Sequence, residues 1–172
     1  MFIANSQESN QEGVELMSSL EIDATLWIMD ELYGIKEVPP QQDYESFTKA
    51  VLICAKGDGT ISPEERGWFA GRSAAYRNTK GYELAKIYAG DDDLQEVLAG
   101  SANVASRKGR LIIIYVAIQT CTADGEYHSG EQEKVREMAA KLGIEESVVQ
   151  EIEQLCVEEA EIRKKRLAIL SD

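Results

Sequence analysis

The segment Asp58-Gly59-Thr60-Ile61-Ser62-Pro63-Glu64-Glu65 returns 66 residues later as Asp124-Gly125-Glu126-Tyr127-His128-Ser129-Gly130-Glu131. One pattern, D-G-x-[apolar]-x-x-x-E, therefore occurs twice, each time between two apolar runs. Aspartate followed by glycine favours a tight turn, because the Asp side chain bonds its own backbone two residues on and glycine accepts positive φ at no steric cost. A glutamate in the first turn of the next helix complements the helix dipole and can reach back to the capping backbone. A chain with this repeat is constrained to two helical hairpins of one design, related by an approximate internal twofold. Ile61 and Tyr127, the apolar residues of the two turns, are expected to face the core. Each copy contributes two carboxylates, and the two copies together pool four.

The flanking sequence agrees with that constraint. Periodic segments recur at about 3.6 residues and strand-like alternation is absent, so the chain reads as all-α, one domain of about seven to eight helices. A first helix is expected from about Gln11 to Tyr33, with Leu16, Leu20, Trp27 and Met29 to Leu32 as apolar surface and Gly34 as its stop. Pro39-Pro40 break the chain. A second helix runs from about Gln42 to Lys56, with Phe47, Ala50, Val51 and Cys54 on one stripe. Ser62-Pro63 opens the next, to about Tyr76. A short helix through Leu84, Ile87 and Tyr88 follows, then another over about Leu94 to Val104, with Asp91-Asp92-Asp93 as capping charges ahead of it. The most apolar helix starts at Arg110 and should be the buried centre. Helices over about Gly130 to Leu142 and Glu145 to Leu170 complete the chain; the last carries Val148, Ile152, Leu155, Ile162, Leu167 and Ile169 and ends in the basic run Arg163-Lys164-Lys165-Arg166. Trp27, Trp68 and Phe69, with Tyr33 and Tyr76, have the spacing of core aromatics.

Composition narrows the partners. The 172 residues include 31 acidic and 18 basic ones, a formal charge of −13 that repels phosphate backbones and anionic lipid heads and favours cations or basic proteins. The longest apolar run, Leu111 to Ile118, falls far short of the ~20 residues of a membrane span. Met1 to Gly13 lacks the basic and apolar regions of a secretory signal, so the cytoplasm is the expected compartment. Cys54, Cys121 and Cys156 are widely spaced and odd in number, which argues against disulfides.

As chemistry, the repeat matches the second half of an EF-hand loop: aspartate at the fifth position, glycine at the sixth, an apolar eighth residue and glutamate at the twelfth. The first half is missing, since Cys54 and Lys56 in one copy, and Thr120 and Thr122 in the other, stand where oxygen ligands belong. Turn and cap chemistry competes with cation binding for the same residues, with Ser62 and Glu65 or Ser129 and Gln132 fitting the capping box. Cys54, Cys121, Cys156 and His128 have zinc-ligand types without paired C-x-x-C spacing, and read as buried cysteines beside an exposed turn histidine. A Cys121–His128 pair has no oxyanion donor or orienting group, so no enzyme is expected.

Ala55-Lys56-Gly57-Asp58-Gly59-Thr60-Ile61-Ser62-Pro63-Glu64-Glu65, then Thr122-Ala123-Asp124-Gly125-Glu126-Tyr127-His128-Ser129-Gly130-Glu131 with Met138-Ala139-Ala140-Lys141-Leu142-Gly143-Ile144 behind it, resembles the TerB-like domain of tellurite-resistance proteins. The resemblance covers about Tyr44 to Leu155. It implies an all-helical fold with an internal pseudo-repeat of hairpins and a metal site in an acidic cluster at the hairpin turns. By position that cluster is Asp58 and Glu65, Asp124 and Glu131. Gly57 replaces the usual alanine of Ala-Asp-Gly, and Gly130 weakens a helix start by up to ~1 kcal/mol; both should loosen the site. The expected division is an N-terminal helix and linker over 1–40, packing on a TerB-like domain over 41–172. The expected function is a stress-response protein binding a divalent cation weakly, with calcium, magnesium or manganese favoured by oxygen ligands. The alternative is a metal-free helical module that binds a protein partner or a second copy of itself.

Overall fold

The computed structural model describes residues 19–37 and 41–171; the expected helical stretch 11–18 and the Pro39-Pro40 break lie outside them. Eight α-helices and no strand occur among the described residues. The chain divides into two compact units, 1–38 and 39–172. The first holds α1 (Ser19–Tyr33), which ends where Gly34 turns to φ 57° and its amide donates to the Asp30 carbonyl at 2.8 Å. Trp27 is 67% exposed on this helix, so it is a surface residue and not the core aromatic its spacing suggested.

The second unit holds α2 (Gln41–Ala55), a 3-10 turn (Lys56–Asp58), α3 (Pro63–Ala75), α4 (Thr79–Ile87), α5 (Leu94–Ala99), a second 3-10 turn (Ala102–Ala105), α6 (Arg107–Cys121), α7 (Ser129–Lys141) and α8 (Glu146–Ile169). Its centre is the packing of α2 on α6. Ala50, Val51, Leu52, Cys54 and Ala55 of α2, and Ile113, Ile114, Val116 and Ala117 of α6, have no exposed surface. Burying each large aliphatic side chain contributes about 1.5–3 kcal/mol, so this seam is the main source of cohesion. The apolar richness of α6 marked it as the hub, and α2 shares that role.

The contacts around the seam are reciprocal: α2 also meets α7, and α6 also meets α3. That exchange of partners is what two hairpins, α2–α3 and α6–α7, show when they are related by a pseudo-twofold. Ile61 and Tyr127 are both half-buried in their turns.

Three boundaries depart from the sequence reading for local reasons. The helix expected over Leu94 to Val104 stops at Ala99, because the Gly100 and Ser101 amides fold back on the Val97 and Leu98 carbonyls at 3.3 and 3.1 Å and a 3-10 turn follows. α6 begins at Arg107, three residues before Arg110, because Ser106 Oγ accepts the Gly109 amide at 2.9 Å and caps it. Of the three aspartates, Asp93 caps α5 by accepting the Glu96 amide at 3.0 Å, whereas Asp92 pairs with Lys49 at 3.1 Å and Asp91 with Lys56. Along α8 only Val149 and Cys156 are buried, and Leu155, Ile162, Leu167 and Ile169 remain exposed.

Because Ile113 and Ile114 are both fully enclosed, truncating either leaves a cavity that the tight seam cannot close. Ile113→Ala and Ile114→Ala should each lower stability by about 2–5 kcal/mol in denaturant melts, and a loss below about 0.5 kcal/mol for both would remove α6 from the hub.

Candidate functional site

The two turns share an Asx turn, a left-handed glycine and a capping glutamate. Asp58 Oδ1 accepts the Thr60 amide and Asp124 Oδ1 the Glu126 amide, each at 3.0 Å, so both aspartates close Asx turns. Gly59 and Gly125 follow at φ 110° and 98°, a left-handed conformation that a side chain would strain. The Ser62 amide then donates to Glu65 Oε2 at 2.6 Å, and the His128 amide to Glu131 Oε2 at 2.8 Å. Each glutamate thus reaches back to the N-cap of its own helix. In the first copy the box is complete, with Ser62 Oγ accepting the Glu65 amide at 3.2 Å. In the second copy the box lies one residue earlier than Ser129 and Gln132, because His128 is the cap and Gln132 donates instead to the Tyr127 carbonyl at 2.9 Å.

Direct backbone contact brings the two helix starts together. A Cβ built on Gly57 would lie 2.6 Å from the Glu131 amide nitrogen, and one on Gly130 would lie 2.7 Å from the Gly57 carbonyl carbon. Only glycine fits at either place. The two departures expected to loosen the site are therefore what allow the turns to touch, and the helix-propensity cost at Gly130 is the smaller effect.

That contact buries Glu65 and Glu131 face to face, 2% and 1% exposed. Cys121, the last residue of α6 and fully buried, joins them: one ligand atom from each of the three lies within 4.8 Å of the others. Of the four carboxylates carried over by position, the fold thus brings together Glu65 and Glu131 and leaves Asp58 and Asp124 exposed at the turns. Asp58 still adds negative potential at Glu131. The thiol of Cys121 went unrecognised in this role because nothing in the spacing links it to Glu65, which is 56 residues away. His128 is half-exposed, with Nε2 3.3 Å from Glu126, and takes no part in the cluster. Cys54 Sγ lies 3.9 Å from Met138 Sδ in the core, and Cys54, Cys121 and Cys156 are free thiols.

The electrostatics follow from burial. Glu131 is raised from 4.5 to about 8, first by desolvation, then by a hydrogen bond to the Glu65 carboxyl that needs a proton, against the lowering effect of the His128 amide. Burial also pushes the Cys121 thiol well above its ordinary value, and the nearby carboxylates add to the shift. Glu65 Oε1 is buried and has no hydrogen-bond donor among the described residues. When both groups are ionised that oxygen lies beside a second carboxylate, and a proton, a water or a cation between them would satisfy it.

An all-α protein of repeated hairpins, its two capping glutamates paired in the core, is the class that the fold and site define. The chain is 39% identical to a tellurite resistance protein from Nostoc punctiforme whose crystal structure matches with a TM-score of 0.79, over 90% of this chain and 96% of that one. The chain belongs to the TerB-like tellurite-resistance protein family. No protein-family model and no curated protein matches it.

Two outcomes test this geometry. Gly57→Ala and Gly130→Ala should each destabilise the fold more than Gly67→Ala or Gly71→Ala, where an added Cβ meets nothing within 4 Å, as read by thermal melting. The raised carboxyl gives a pH dependence of definite sign. The folded protein keeps the Glu131 proton up to about pH 8 while the unfolded chain loses it near 4.5, so metal-free protein should lose stability as pH rises through that window. Glu131→Gln, which supplies a permanent donor, should flatten that slope in urea melts, and an unchanged slope would separate it from the pair.

Proposed function

We propose that this chain is a cytoplasmic TerB-like stress-response protein that holds a divalent cation weakly between its paired capping glutamates. The observation that carries the reading is Glu65 Oε1, a buried oxygen without a donor that faces a second buried carboxyl. Retaining two enclosed carboxylates is costly unless something positive lies between them. Glu65 and Glu131 would hold the ion, while Asp58 and Asp124 would shape the turns and add negative potential at their mouth. The ion would supply fixed positive charge in place of the shared proton and tie the start of α3 to that of α7.

The net charge of −13 favours cations at the surface generally. The description of the Nostoc relative as a tellurite resistance protein supports a role in the same kind of stress response. No helix among the described residues is long and apolar enough to cross a membrane, which accords with a role away from the bilayer. Binding rather than catalysis is the proposed activity, since the carboxylates act as caps and the Cys121 thiol beside them is fully enclosed and held in its protonated form by burial.

Weak affinity is expected, because two carboxylates leave most of the six to eight oxygens of a calcium shell to water and backbone, toward the ~10⁻⁴–10⁻³ M end of the range. Millimolar calcium, magnesium or manganese should raise the melting temperature of the wild type, by about 1.4 kcal/mol of stability at about tenfold excess over Kd. A Glu65→Gln/Glu131→Gln variant should lose the response, and Asp58→Asn/Asp124→Asn, which preserves both Asx turns, should keep most of it. An equal shift in the wild type and the double glutamine variant would sink the site. The second reading, a protein-binding module, draws on the exposed Ile162, Leu167 and Ile169 of α8 beside Arg163 to Arg166; absence of any cation response would transfer the weight to it.

A further inference from the structure

We propose that Cys121 is a third ligand, making this a Glu-Cys-Glu centre that selects a thiophilic divalent cation of the zinc or cobalt kind over calcium and magnesium. The inference rests on the cation-binding reading above and specifies which ion the site takes. Cys121 lies at the end of α6, at the base of the second turn, with no exposed surface. Its sulfur lies within 4.8 Å of a carboxylate oxygen from each glutamate, close enough for three donors to converge on one small ion. Bond lengths of about 2.0–2.2 Å for oxygen and 2.3 Å for sulfur would require the three donors to draw in on the ion.

The enclosure argues for the same class of ion. Calcium takes six to eight oxygens and magnesium an octahedron that keeps several waters, about as many donors as an open, wet loop provides. Here the donors are two buried carboxylates and a sulfur. A low coordination number with one thiolate suits a borderline-soft metal, with a single water filling the remaining position. On coordination the Sγ–H bond breaks, a metal–sulfur bond forms and the proton passes to solvent, so no oxidant or reductant is involved.

The repeat supplies a built-in contrast. The first-copy counterpart of Cys121, 66 residues earlier, is Ala55, so the otherwise matched turns offer one thiol and not two. The remaining cysteines are placed elsewhere: Cys54 is packed against Met138, and Cys156 sits on α8. Neither belongs to the cluster.

Cobalt(II) titrated into the metal-free full chain provides the test, through the near-ultraviolet charge-transfer absorption that only a thiolate ligand gives. The band should appear, be abolished by zinc, vanish in Cys121→Ser and persist in Cys54→Ser and Cys156→Ser. X-ray absorption of the zinc-loaded wild type requires no variant, and should show a sulfur neighbour at about 2.3 Å beside oxygen at about 2.0 Å. If calcium or manganese stabilises wild type and Cys121→Ser alike, while cobalt gives no band and zinc no sulfur neighbour, the thiol is not a ligand and the all-oxygen reading survives alone. If no cation shifts the melting temperature or gives a band, both readings fall and the carboxyl pair is held by its shared proton. A band that survives in Cys121→Ser and is lost in Cys54→Ser or Cys156→Ser overturns the assignment as well.

Discussion

The acidic site depends on one backbone contact, in which the turn at Gly57 lies directly against the helix start at Gly130. Without side chains in the way, the N-termini of α3 and α7 come within reach of each other's first-turn glutamates. Each helix start carries positive partial charge and amides without intrahelical partners, which make a buried carboxylate more tolerable there. The cap bonds at Ser62 and His128 satisfy one oxygen of each glutamate, and the second oxygen of Glu65 is buried without a donor among the described residues. Helix capping and site construction are thus one arrangement.

On the reading proposed above, a proton and a cation compete for one place. A neutral Glu131 can donate to Glu65 and leave the pair with one negative charge instead of two, and its upward shift to about 8 reflects how strongly burial favours that state. A divalent ion does the same work with fixed charge, and must displace the proton to do it. On that reading stability, pH and cation concentration would be three views of one equilibrium.

Much of the fold was legible in the sequence because the determinants are local. Ser62-Pro63 marks a helix start, Asp-Gly marks both turns, and the apolar run of α6 marks the centre. The family resemblance was carried by the same residues. What escaped notice depended on meetings between distant segments. Gly57 and Gly130 looked like weaknesses because propensity scores each residue in its own helix, whereas their value lies in the other hairpin. Cys121 looked inert because no spacing rule joins a residue of α6 to one of α3. Trp27 and the apolar residues of α8 went the other way: helical spacing announces a stripe without saying whether anything covers it. The four carboxylates were equivalent by motif, and only the fold separates the two that cap from the two that turn.

The asymmetry within the repeat explains how one site can arise from two similar hairpins. A strict copy would place an alanine, or a cysteine, at both Ala55 and Cys121, and glycine at both or neither of the helix positions now held by Glu64 and Gly130. Instead the contact uses the residue before Asp58 from one turn and the residue before Glu131 from the other. The two turns therefore meet through positions that are not equivalent in the repeat. The glutamates, which hold equivalent positions in the repeat, lie beside each other. The residues that differ shape the gap between them: the glycine pair lets the turns approach, and one sulfur, not two, lies beside the carboxylates.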